Sequence, residues 1–509
     1  MTTLLAIALT FAAPAAASEQ QPTARPVSAS DAELMAELTR IDRSDDSTSR
    51  LAGVERLLRE PGRTARQRSI LQFLRAEQLF HLPGRADEAK QAVAESLRLV
   101  PVNAPALLLS SAIQTYQGDP VVAANQWIEA SRLAPAIALR SSVYDLNALI
   151  GRLSDKARPD IVADLVSRMV ALNHPAATTE LRSSAAVARA TDRIKTGNLS
   201  GAEQAMREVV DFGEFLELYL DRRYQPIWPA MERWIGGDLQ RQREASLRGH
   251  RADWHRKGLT SAPDYASALT GARANQAIVD LFLKTVRSPA EEDDPHNLAL
   301  LTNFVAISLR NLGRSDEALA LLASHADRLD KNNAAPALTA RANLAQMQLT
   351  LGRFTEARAT VNRFIKDFKL LNGAGNQSAL LQTGMIGTCA KFADGDVRAQ
   401  AQAREEAERL MADAPTSVRW AWVQCSRDAQ GAKQLLIDSL GDEAHRAWAL
   451  GTLQPAVETP AVSEWDAEGD RFLEALRRDP ELIAAANRVG RILPDAWPRR
   501  LPPDFDPAG

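Results

Sequence analysis

Apolar residues recur along this chain at three- and four-residue intervals, and Gly, Pro, Asn and Asp interrupt them at short, regular distances. That spacing puts one apolar stripe on each of many short helices. The first runs through Ala32 to Leu38 behind a Ser30-Asp31 N-cap. A second carries Leu51, Val54, Leu57 and Leu58 and stops at Pro61-Gly62. The same reading predicts helices over 70–82, 85–100, 104–117, 120–134, 137–151, 158–172, 179–196 and 200–210. A candidate helix over 215–224 ends where Pro226 and Pro229 flank Trp228. The pattern resumes over 241–256, 296–312, 315–329, 337–351, 354–368, 378–392, 398–411, 417–425, 432–440, 443–453, 464–477 and 480–492.

The punctuation itself repeats. Gly84, Ala89, Val93 and Pro101 return thirty-four positions later as Gly118, Ala123, Trp127 and Pro135. Gly84 suits a turn that needs a positive φ, and a small residue five positions on lets two helices approach closely. Gly197 with Ala190 and Ala202, Gly313 with Ala306 and Ala318, and Gly352 with Ala345 and Ala357 carry the same offsets of minus seven and plus five. This pattern resembles the tetratricopeptide repeat, a helix-turn-helix unit. The resemblance implies an all-α fold, a right-handed α-solenoid of such repeats, in two halves around a non-repeat junction. The junction is expected at 212–274, which holds Tyr219, Tyr224, Trp228, Trp234, Trp254 and Tyr265, six of the nine Trp and five Tyr. Repeats are expected over 31–211 and 275–493, and a Pro-rich tail over 494–509.

The N-terminus changes the expected compartment. Leu4 to Ala17 is an apolar run ending in small residues, which predicts a signal peptide over 1–17, a disordered leader over 18–30 and a periplasmic or secreted protein. No later segment is apolar enough to span a bilayer, so no transmembrane segment is expected after the signal is removed. A net charge of -3 without basic blocks argues against a nucleic-acid partner. Cys389 and Cys425 are the only cysteines, one repeat apart, and either a disulfide or two small buried thiols fits that spacing.

No metal, nucleophile or phosphate-loop signature is present, and no cofactor is expected. His250, Asp253 and His255 lie close in sequence, but five-residue spacing turns the two imidazoles to different helix faces, so a solvated polar face is the simpler account. Glu291 to Asp294 precedes a helix, where acids compensate the dipole more simply than they bind a cation. Function is implied by the resemblance: binding of another protein or peptide along the inner faces of the A helices. Asn303 and Arg310 on one A helix, with Asn343 and Gln346 on the next, are the candidate partner-binding residues, although the Lys pair of the family's carboxylate clamp is missing. Tyr219, Tyr224, Trp228 and Trp234 either line a sugar or peptide pocket or pack the junction. The alternative function is an all-α glycan-active enzyme using Glu214, Glu217 or Asp221, carboxylates on one helix face.

Overall fold

The computed structural model describes residues 29–43, 46–80, 82, 84–156, 158–290, 294–328, 334–371, 377–412, 414–457, 460–494, 501 and 505–508. The expected signal peptide, the leader up to residue 28, the acidic residues 291–293, the loop 372–376 and much of the Pro-rich tail lie outside the described residues. Every regular element among the described residues is a helix, and an isolated antiparallel bridge joins Asp221 to Gly490. No described helix is long and apolar enough to cross a membrane. The chain divides into two compact units, Met1–Ala177 and Thr178–Gly509.

In the first unit the helices come in pairs. Ala65–Phe80 packs on Ala86–Leu99, and Ala104–Gln117 on Pro120–Leu133. Ala89 and Ala123, five residues after their turn glycines, are fully buried where the paired helices meet. Gly84 adopts φ +74°, as its turn requires, whereas Gly118 makes the same turn at φ -150° and needs no left-handed residue. Buried polar bonds join the pairs. Asn103 caps the Ala104–Gln117 helix, and its side-chain amide donates to Ser69 Oγ (2.9 Å), while Ser96 Oγ donates to the Ser69 carbonyl (2.7 Å). Arg168 from the next pair donates to the Ser131 carbonyl (2.6 Å), satisfying an otherwise orphaned helix-end acceptor. Among the described residues the first helix is Ala29–Asp42, which contains Ser30 and Asp31, the residues expected to cap it.

The second unit is built from the same pairs: Pro295–Asn311 with Ser315–Ala326, Ala335–Thr350 with Phe354–Phe368, and Gln377–Asp394 with Val397–Met411. Ala190, Ala202, Ala306, Ala318, Ala345 and Ala357 are all fully buried, and Gly197, Gly313 and Gly352 all take positive φ. Its two ends share one core. Residues 186–239 and 423–493 form a single apolar cluster, in which Phe215, Leu218 and Ile227 pack with Leu436, Leu450 and Leu482. Arg491 secures this closure. Its guanidinium lies 3.6 Å from the Tyr219 ring centroid and 4.1 Å from that of Trp228, donates to the Tyr219 carbonyl (2.6 Å) and pairs with Glu232 (3.1 Å). Beside it, a Cβ on Gly490 would lie 2.6 Å from the Leu220 carbonyl oxygen, so the closure needs glycine there.

Candidate functional sites

The two units differ in what lies between their helices. In the first unit, the A helices Ala65–Phe80 and Ala104–Gln117 and the helix Val143–Asp155 surround a cavity of about 370 Å³. Phe73, Phe80, Leu108, Ala112 and Leu149 give it apolar walls, and Glu77 and Asp145 place carboxyls on them. Burial pushes Glu77 up to about 7, with nearby Asp42 adding to the shift and Arg50 opposing it. Burial also raises Asp145, against a hydrogen bond from the Tyr116 hydroxyl. Glu77 is a residue the motif reading passed over. It stands seven positions before Gly84, where other repeats carry Ala190, Ala306 or Ala345, and that departure was visible in the sequence.

In the second unit the corresponding face is already covered. Helix Glu464–Arg477 is capped by Ser463, whose hydroxyl also donates to the Thr350 carbonyl (2.6 Å). Trp465 meets Phe354 edge-on at 5.5 Å, and Arg427 lies 4.4 Å over the indole and donates to the Trp465 carbonyl (2.7 Å). Burial pulls the Arg310 guanidinium below its usual value, and the carboxylates of Asp466 and Asp470 oppose that shift. Arg310 also donates to Asn311 Oδ1 (2.9 Å). Gln346 lines the residual space beneath the helix, while Asn303 and Asn343 are half-buried on the same two A helices. Of the expected partner-binding residues, Gln346 and Arg310 are thus the two that the structure relates to the helix Glu464–Arg477.

The aromatic segment is mostly packed. Tyr224 is a core residue, 1 % exposed, bonded to the Thr191 hydroxyl (2.8 Å). Tyr219 and Trp228 hold Arg491, and Trp234 is exposed on the surface. Asp221 is fully buried and committed to structure: it accepts from the Arg223 backbone (2.8 Å) and guanidinium (2.7 Å).

Next to them, a carboxylate–histidine cluster joins Glu214, Glu217, His250 and Asp253, all marked in the sequence, to Asp211, Glu180 and Asp264, which were not; His250 and Asp253 are buried, so the solvated polar face expected for them does not form. His250 Nε2–H donates to Asp211 Oδ2 (2.9 Å), and His250 Nδ1 has no partner. Burial would raise Asp211, but the His250 bond and the backbone N–H groups of Glu214 and Gly213 outweigh it and hold the carboxyl below its usual range. Glu214 behaves oppositely: burial pushes it up to about 8 despite a hydrogen bond from the Ser184 hydroxyl. Burial also raises Glu217. Glu180 and Asp264 both rise to about 6: desolvation leads in each, followed by the acids Asp264 and Asp211 for Glu180, while for Asp264 His250 opposes the shift and Asp253 adds to it. Glu180 is nonetheless exposed to solvent. Asp253 accepts from Thr179 (2.6 Å) and Arg182 (2.9 Å), which gives it a structural role in the cluster. The residues meet because Asp211 N-caps the helix Phe212–Leu220 while the helix Leu239–Lys257 lays His250 against it. No such approach can be read from their separation in sequence. No group of His, Cys, Asp and Glu among the described residues has the arrangement of a metal site.

Cys389 and Cys425 are joined in a disulfide, with Cα atoms 5.7 Å apart, linking the helices Gln377–Asp394 and Thr416–Ser426. No protein-family model matches the sequence, and no curated protein matches it. What the chain does must therefore be argued from its own geometry.

Proposed function

We propose that this chain is a tetratricopeptide-like scaffold of the cell envelope, a helical-repeat solenoid that binds another protein or peptide without a cofactor. The observation that carries the reading is the open apolar cavity on the inner face of the first unit, bounded by A helices of successive pairs. The repeated Gly and Ala offsets, buried as close helix packing demands, support the family resemblance. The disulfide supports an oxidising compartment, in keeping with the apolar N-terminal run. The test is cross-linking and capture from the envelope fraction with wild type and Leu108→Glu. A charge buried in the cavity wall is expected to abolish capture without altering the helical circular dichroism; unchanged capture would remove the first unit from the binding reading.

One observation favours a second reading, a glycan-active enzyme. Glu214 and Asp211 have acidities moved in opposite directions, which is how a protonated acid and an ionised base coexist at neutral pH. Of the expected carboxylates, Glu214 and Glu217 remain candidates, while Asp221 is held in ion pairs. Release of soluble fragments from purified cell-wall glycan by wild type, lost in Glu214→Gln, would establish it; no release by wild type would end it.

A further inference from the structure

We propose that the inner face of the helices Pro295–Asn311, Ala335–Thr350, Gln377–Asp394 and Thr416–Ser426 is a docking groove for an acidic, aromatic-bearing helix, and that Glu464–Arg477 is its built-in, displaceable occupant. The inference goes beyond the scaffold reading, which rests on the first unit, and concerns a different surface.

Three observations carry it. The first is charge. The occupant helix bears Glu464, Asp466, Glu468, Asp470 and Glu474 against Arg471 and Arg477, and it faces cationic groups of the groove. Arg310 feels Asp466 and Asp470, and Arg427 feels Glu468 and Asp466. Arg273 donates to the Val457 carbonyl on the segment leading into the helix. Arg273 and Arg427 both adopt left-handed backbone conformations, φ +57° and +54°, which non-glycine residues adopt at a cost, usually where function or surrounding structure holds them.

The second is how lightly the helix is held. Leu476 is its only buried residue over fourteen positions, whereas the following helix Pro480–Val489 buries Leu482, Ala485 and Ala486 in the shared core. The earlier helix contributes Leu476, with Phe472 beside it, to the shared core and Trp465 to a neighbouring cluster, which is less buried apolar surface than the later helix supplies. A segment with few buried apolar contacts opens before the rest of its fold.

The third is incomplete fit. A cavity of about 250 Å³ remains beneath the helix, lined by Gln346, Met385, Ile386 and the disulfide on the groove side and by Trp465 and Leu473 on the helix side. The Arg427 Nε atom is buried without a partner beside it. A partner helix with a larger apolar residue at the Leu473 position and an acceptor for Arg427 would fill this space better than the resident segment does. Recognition would be of the helix-in-groove kind, with an aromatic anchor over Arg427 and acids one and five residues later.

The test uses the full chain and a fluorescein-labelled peptide of residues 460–478 as probe. In the variant Trp465→Ala, Asp466→Asn, Asp470→Asn the resident helix loses its anchor while the groove is untouched. Anisotropy titration is expected to give at least ~10-fold tighter peptide binding than wild type. Adding Arg310→Glu and Arg427→Glu should abolish the gain. Failure of the triple variant to bind, with its circular dichroism intact, would overturn the proposal, and so would binding that survives the two Arg substitutions. Should the variants unfold, hydrogen exchange of wild type decides. Helix 464–477 is expected to exchange at least ~10-fold faster than helix 480–489, and equal protection would overturn the proposal. Loss of capture by Leu108→Glu bears on the first unit alone, so failure of one reading is distinguishable from failure of the other.

Discussion

The inner faces of the two units start from one local code and end with opposite contents. Between Phe73 and Leu149 the A helices enclose about 370 Å³ of open apolar space with Glu77 and Asp145 on its wall. Between Gln346 and Arg427 the comparable face is overlain by Glu464–Arg477, and about 250 Å³ is left beneath it. The buried Ala five residues after the turn glycine is common to both, at Ala89 and Ala123 in one and at Ala202, Ala318 and Ala357 in the other. What differs is the chain that follows: the second unit brings its last helices back onto its first, and in doing so lays one across its own groove. Repeat residues therefore specify how neighbours pack, and whether a groove stays open depends on segments far away in sequence.

The contrast can be broken most forcefully at the closure. Arg491→Ala removes two ring contacts and the partner of Glu232, and is expected to cost the second unit about 3–4 kcal/mol. Hydrogen exchange read segment by segment should show faster opening across 212–235 and 480–493, with 65–133 unchanged; equal loss of protection in both regions would contradict independent units. Reduction comes next. Cleaving Cys389–Cys425, which closes a separation of 36 residues, is expected to lower second-unit stability by about 2–4 kcal/mol, and the first unit, without cysteine, should melt as before.

The two smaller effects concern buried acids. Glu214 keeps its proton in the folded chain up to about pH 8, whereas the unfolded chain releases it near 4.5, so the folded state binds more protons in that window and its stability falls as pH rises. Glu214→Gln should flatten this slope and raise second-unit stability at pH 8 by roughly 1–3 kcal/mol, allowing for partial solvation. Glu77 is raised to about 7, so Glu77→Gln should do the same for the first unit between about 4.5 and 7, by roughly 1 kcal/mol at pH 8. Thermal melts of each variant at pH 5 and pH 8 check both signs, and a variant whose melting shifts equally at the two values would refute the protonation account.

Much of the secondary structure was legible. The expected helices 104–117, 354–368 and 464–477 have the predicted limits, because N-caps, turn glycines and apolar spacing all act within a few residues of the backbone they control. Where the reading slipped, a local feature competed. The single helix expected over 137–151 is split into Pro135–Ala138 and Val143–Asp155, and the stretch through Tyr224 becomes a 3₁₀ helix, Arg222–Ile227, after Asp221 ends the preceding turn. The candidate residues were legible only in part. Cys389 and Cys425 could be paired on spacing as one of two outcomes, and Glu77 was marked by its departure from Ala at minus seven. Asp211 with His250, and Arg310 with Asp466 and Asp470, lie at separations that no periodicity connects.

By itself, then, the sequence determined an all-helical chain of paired helices, with small Ala residues at the crossings of the pairs that carry the turn-glycine pattern. These depend on hydrogen bonds and side-chain sizes within one or two helices. Only the tertiary structure decided that residues 186–239 and 423–493 share a core, that Tyr219 and Trp228 grip Arg491 instead of a ligand, and that one groove is open while the other is filled. Those outcomes rest on small packing rotations summed over many helix pairs, and the sum is not written at any one position.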